Sequence, residues 1–279
     1  METNTDTADG DPAGPTNQDD GSPMRSVAVA FGLAIVGILG AELFTVPVQV
    51  LDPAIVDSPG EVSVELRTAF LVLNFVGMAA IGAAYLHLSG RGFDYVDIRQ
   101  PTRRDWIFAG IGIGLSLLLY VVAVAVITLI DLPASDNPIV EFVDTEFMIL
   151  IMILIVFFFN APAEEFLFRN VIQKRLYDAF SRMESVFIAA GLFALIHLPV
   201  YYLLADSVLA VVVPVVIVFF GGAIFGYVYA ETDNLFVPIL GHAVYNAFIF
   251  SLLFLQMRYD LGDDETVTGL VLDCLPVLA

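Results

Sequence analysis

Glu164 and Glu165 stand side by side shortly after the apolar run Ile149 to Phe159, and His197, His242 and Asn246 follow downstream in segments that are themselves apolar. An ionised carboxylate in hydrocarbon is expensive, and two adjacent ones persist only where partners, water or protonation offset that cost. A carboxylate and an imidazole can together bind and deprotonate one water. A second imidazole and an amide NH₂ can donate hydrogen bonds to the oxyanion that forms when that water attacks a carbonyl. The set suffices for peptide-bond hydrolysis without a covalent nucleophile, and no Ser or Cys stands beside these groups.

Spacing separates the roles. Glu165 and Arg169 are four apart with the acid first, the favourable order for a helical ion pair. Glu164 projects about 100° away from Glu165 by helix geometry, so it can face the interior and hold water. Asn160-Ala161-Pro162 interrupts the segment just before the acids. Asn is a good N-cap and Pro is tolerated only in a first turn, so a fresh or kinked helix is expected there, its positive end near the glutamates. Phe193 lies one helical turn before His197, and His242 and Asn246 share one face, with Gly241 permitting close helix approach. Each motif also has a purely structural reading: a helix-end salt bridge, a packed histidine, and interhelical polar contacts.

The elements that must position these groups are membrane helices. The chain has 279 residues, 58% hydrophobic and 15% charged, which argues against a soluble globule. Seven apolar runs have the length of a span: about Ser26 to Leu51, Arg67 to Leu88, Trp106 to Ile130, Phe147 to Val171, Ser185 to Leu204, Val208 to Ala230 and Leu235 to Met257. The expected fold is an all-α polytopic bundle of seven, or eight, transmembrane helices. Residues 1–24 read as a disordered acidic tail, 25–258 as the transmembrane catalytic domain with its motif core at 161–250, and 259–279 as a C-terminal tail.

Of the 11 basic residues, Arg25, Arg91, Arg99, Arg103, Arg104, Arg169, Lys174, Arg175 and Arg182 fall at one set of ends and loops, leaving Arg67 and Arg258 at the other. The positive-inside rule then places the N-terminus and the loop Ser89 to Asp105 in the cytoplasm. A net charge of −20 with a single lysine, Lys174, reads as adaptation to a salt-rich cytoplasm, as in a halophilic archaeon. Cys274 is the only cysteine, so no intramolecular disulfide or cysteine metal cage forms.

The ordered motifs Glu164-Glu165-Phe-Leu-Phe-Arg169, Phe193-Ala-Leu-Ile-His197 and His242-Ala-Val-Tyr-Asn246 resemble the signature of the CPBP family, the CaaX proteases and bacteriocin-processing proteins also called Abi. The resemblance covers about Ala161 to Phe250. It implies a glutamate-dependent intramembrane endopeptidase in which Glu164 and His197 activate water and His242 and Asn246 line the oxyanion hole. Glu165, Arg169 and Phe193 would support them. Asn170 departs from the pattern, standing where the family often has Gly. The resemblance implies no cofactor, with zinc the alternative, because the family was long described as metalloproteases.

The expected partners are a membrane-associated peptide or protein, lipidated or not, and the bilayer; no nucleic acid is expected. The site should open toward the cytoplasm from the cell membrane. Two other classes keep the same residues: an ion- or proton-coupled transporter, for which Glu42, Gln49 and Asn74 add polar groups in spans, and a non-catalytic scaffold or immunity protein.

Overall fold

The computed structural model describes residues 22–130, 132, 139–205 and 207–259. Every regular element among them is helical. Seven helices are long and apolar enough to cross a membrane: α1 (Pro23–Leu51), α2 (Val64–Leu88), α3 (Arg103–Ile130), α4 (Glu146–Leu176), α5 (Arg182–Leu204), α6 (Val208–Thr232) and α7 (Phe236–Tyr259). They coincide with the seven apolar runs, extended by a few residues at most ends, and no eighth span occurs among the described residues. The expected tails 1–24 and 259–279, with Cys274, lie outside the described residues except for 22–24 and 259.

Hydroxyl caps start several of these helices. Ser63 Oγ accepts from Leu66 N at 3.4 Å, Thr145 Oγ1 from Met148 N at 3.2 Å and Ser207 Oγ from Ala210 N at 3.2 Å. Ser181 and Glu184 form a reciprocal capping box on α5. The turn from α6 to α7 passes through Asp233 in the left-handed region, φ 45°, where its N–H closes back onto Tyr229 O.

α4 is the centre of the bundle, with α1, α2, α5 and α7 packed around it. Nearly every side chain from Ala161 to Leu176 is buried. The α1–α2 pair closes at Gly40 and Gly77, where a Cβ on Gly77 would collide with the Gly40 carbonyl oxygen. The outer faces carry bare apolar side chains, among them Leu39 and Leu43 on α1, Leu118 and Val121 on α3, and Phe220 on α6. Apolar surface of that extent suits lipid rather than water.

The expected fresh start at Asn160 is not what α4 does. The helix runs straight through, with two wide π-helical stretches at Val156–Asn160 and Phe166–Gln173 flanking an α-helical Ala161–Glu165. Asn160 itself is helical, φ −61° and ψ −69°, and its side chain caps nothing. The reason lies in Pro162, which has no N–H and whose ring crowds the carbonyl four residues back. A register shift, seen where Ala161 N bonds to Val156 O, opens the turn and lets the helix continue past the proline. The helix dipole therefore does not point its positive end at the glutamates, and side chains must hold them instead.

Basic residues collect at one end of the bundle in mostly exposed ion pairs, Lys174–Asp97, Arg175–Asp178, Arg104–Glu231 and Arg182–Asp233, while Arg67–Asp144 and Arg258–Glu146 mark the other. Arg169, grouped with the first set by its sequence position, is instead fully buried inside α4.

At the basic end, residues 93–98 form a strap held to the bundle. Asn170 donates to Tyr95 O at 3.1 Å and accepts from Asp97 N at 2.9 Å. Asp97 also accepts from Lys174 Nζ at 2.7 Å and from the Tyr229 hydroxyl at 2.6 Å. Burial pushes the Tyr95 phenol up to about 12, so its ring stays neutral beneath the charges of Lys174 and Arg91 at 4.2 and 5.0 Å. The departure at Asn170 thus has a structural use: a glycine there could not anchor the strap.

Candidate active site

The α-helical turn Ala161–Glu165 points its two carboxylates in different directions, and both are shut off from solvent, Glu164 being 1% and Glu165 0% exposed. Glu165 lies between two partners. Its Oε2 accepts from Arg169 Nε at 2.8 Å, and its Oε1 faces His242 Nδ1 at 2.8 Å. Glu164 Oε1 accepts from Asn160 Nδ2 at 2.6 Å. Glu164 Oε2 is buried without a hydrogen bond among the described residues, 3.8 Å from His242 Nε2.

α7 supplies the other half. His242 and Asn246 are buried on one face of the helix, with Asn246 Nδ2 3.0 Å from His242 Nε2. The same Nδ2 donates to Asn160 Oδ1 at 2.9 Å, joining α7 back to α4. Phe225 of α6 stacks on the imidazole at 5.1 Å with only 11° between the ring planes. A carboxylate can only accept, so His242 donates from Nδ1 to Glu165 and presents Nε2 as an acceptor in its neutral form.

His197 reaches this cluster through Phe193. The Phe193 ring meets the imidazole edge-on at 4.6 Å and lies beneath the Arg169 guanidinium at 5.3 Å. His197 Nδ1 sits 2.6 Å from Phe193 O, a carbonyl that only accepts, so in neutral His197 the proton is on Nδ1 and Nε2 carries the lone pair. Glu164, Glu165, Arg169, His242 and Asn246 therefore form one hydrogen-bonded cluster centred on α4 and α7, flanked by Phe193 and His197 on α5. Residues 146–248, which contain all of these groups, match the family model described as type II CAAX prenyl endopeptidase Rce1-like. That stretch is similar to an Rce1-like domain. No match was found among the curated proteins or among the solved structures.

The matched stretch begins with α4 and runs into α7, and α1, α2 and α3 lie outside it. Within it, sequence reasoning missed two members of the cluster. Asn160 was read as a helix cap, although it sits four residues before Glu164, the spacing that places two helical side chains together. Phe225 carries no local signal, because its stacking on His242 joins residues of different helices.

Of two cavities in the bundle, the smaller is lined by residues of the site. One of about 20 Å³, room for about one water, lies between α3, α5, α6 and α7 and is lined by Ser116, Phe193, Phe225, His242 and Tyr245. The other, about 670 Å³, lies at the strapped end between Ala79 and Ala83 of α2, Phe166 of α4, and Phe93, Val96 and Ile98 of the strap.

Proposed function

We infer that this protein is an intramembrane endopeptidase that hydrolyses peptide bonds of membrane-associated chains, CAAX-type prenylated peptides among them, with water activated by Glu164 and His197. The observation that carries this reading is the buried cluster inside the stretch similar to an Rce1-like domain, in which one carboxylate oxygen, Glu164 Oε2, is left without a hydrogen bond beside an imidazole. A charge held there at such expense favours chemistry over simple helix adhesion.

In this reading the attacking water gives its proton to Glu164 while His197 Nε2 orients it. Its oxygen bonds to the scissile carbonyl carbon, and the carbonyl π electrons move onto oxygen. His242, neutral with its proton on Nδ1 before substrate binds, takes a proton from solvent at Nε2 as Asn246 leaves that nitrogen, and, held through Nδ1 by Glu165, donates to the oxyanion. Asn246 adds an N–H by exchanging His242 Nε2 for the substrate oxygen as acceptor. The proton on Glu164 then goes to the departing amine as the C–N bond breaks.

Zinc has no part in this reading. Among the described residues no three His, Cys, Asp or Glu side chains converge as a metal-holding group, and Glu165 and His242 direct their facing atoms at each other. A structural or catalytic zinc site needs at least three protein ligands. The test is cleavage of farnesylated and unmodified peptides by purified protein, together with metal analysis. Cleavage should survive long incubation with phenanthroline. Stoichiometric zinc whose removal and return switched activity off and on would replace this mechanism with a metal-dependent one.

The orientation is part of the proposal. The concentration of Arg and Lys at the strapped end supports a cytoplasmic mouth there, with the larger cavity as the approach for a peptide. Phe93 is 88% exposed on the strap. In a Cys274→Ser background, Phe93→Cys should resist an impermeant thiol reagent in intact cells and react once the membrane is opened. Ready labelling in intact cells would put the mouth on the outside.

A further inference from the structure

Asn160 joins the two halves of the site, and its chemistry dictates more than its own position. With Glu164 ionised, the atom facing Glu164 Oε1 at 2.6 Å must be the amide nitrogen, because a carboxylate only accepts. Its other atom, Oδ1, then faces Asn246, which must present Nδ2, at 2.9 Å. The second hydrogen of that Nδ2 points to His242 Nε2 at 3.0 Å, which must be the acceptor nitrogen. The imidazole proton is thereby assigned to Nδ1, where it meets Glu165 at 2.8 Å, and Glu165 is closed by Arg169. Donor and acceptor roles are thus set end to end along one buried chain, with Asn160 as its hydrogen-bonded link between Glu164 and α7.

We propose that Asn160 is a positioning residue: it orients the Glu164 carboxylate so that Oε2 faces the reacting water, and through Asn246 it keeps an N–H donor on His242 Nε2, while Glu165 holds the proton on Nδ1. This rests on the role given above to Glu164. The wide turn at Val156–Asn160 is what presents the amide there, because Asn160 closes that stretch and its backbone stays helical while its side chain crosses to α7. The charged or titratable members of the same chain are Glu164, Glu165, Arg169 and His242.

Two nearly isosteric substitutions separate the two tasks. Asn160→Leu removes both hydrogen bonds. Asn160→Asp keeps an oxygen acceptor for Asn246 but turns a second oxygen toward Glu164. Both should lower kcat by about 10- to 100-fold with KM within about twofold, since a misaligned general base is felt in the chemical step. Nitrogen-15 spectra of the histidines, with the His242 signals identified by their loss in His242→Gln, give a readout independent of turnover. Wild type and Asn160→Asp should show His242 protonated at Nδ1 alone, and Asn160→Leu, in which the Asn246 amide can turn its oxygen toward Nε2, should show protonation at Nε2 as well. Wild-type kcat in Asn160→Leu, or a His242 protonation pattern unchanged by it, would overturn the assignment. If the wild-type protein cleaves no peptide, or Glu164→Gln cleaves at the wild-type rate, the proposed function fails instead, and the tautomer measurement still decides the role of Asn160.

Discussion

Glu164→Gln leaves the protein folded and lowers cleavage by about 10³-fold or more. General-base catalysis contributes about 10²- to 10⁴-fold, and glutamine keeps the size of the side chain while removing the group that takes the proton. The fold tolerates the exchange because the amide oxygen can still accept from Asn160 Nδ2, as Oε1 does now. The new NH₂ lies toward His242 Nε2, an acceptor in the neutral imidazole, where Glu164 Oε2 now stands at 3.8 Å. The measurement is single-turnover cleavage of a peptide by purified protein, paired with thermal unfolding in the same detergent. Turnover near the wild-type rate with unchanged melting would remove Glu164 from the mechanism.

Arg169→Met has the largest expected effect on stability. Arg169 and Glu165 are both 0% exposed, and each is the other's ion-pair partner. Removing the cation leaves a carboxylate in the centre of the bundle with only the His242 N–H on its other oxygen. Breaking a buried pair from one side costs about 3–5 kcal/mol, whereas replacing both partners can be close to neutral. The double variant Glu165→Gln, Arg169→Met should therefore recover most of the lost stability while remaining poorly active, since His242 loses the charge that holds it. Denaturant unfolding of the two singles and the double gives the coupling directly. A single Arg169→Met as stable as wild type, or a double variant no better than that single, would show that the pair is not what keeps Glu165 in the core.

The seven spans were readable because length and hydropathy leave few alternatives for a chain that must bury every backbone hydrogen bond. The i,i+4 pair Glu165–Arg169 was readable for the same local reason, and it occurs as expected. Asn160 went the other way. Asn and Pro next to each other carry a strong local signal for a helix start, and here the tertiary cluster overrode it by drawing the amide toward Glu164 and Asn246. That Glu165 holds His242 as well as Arg169 was not legible at all, because the contact joins residues of α4 and α7 and no periodicity reports it. The anchoring of the strap by Asn170, Lys174 and Tyr229 is invisible for the same reason.

The wide turns of α4 also govern how this segment can change in length. A π-helical turn accommodates one residue more than the α-helix it replaces. Losing one residue from Val156–Asn160 would let that stretch close to ordinary α register, and the rest of the helix would keep its hydrogen bonds. The phase of the helix on either side would then be nearly unchanged, since the wide turn and the ordinary turn that replaces it cover about the same rotation. Everything on the N-terminal side, from Glu146 onward, would keep the stripe it presents to α7, and Glu164 would stay where it is. Single-residue gaps between this chain and others therefore belong inside Val156–Asn160 or Phe166–Gln173, where register can absorb them, and a gap placed within Ala161–Glu165 would separate the two acids from the groups that now hold them.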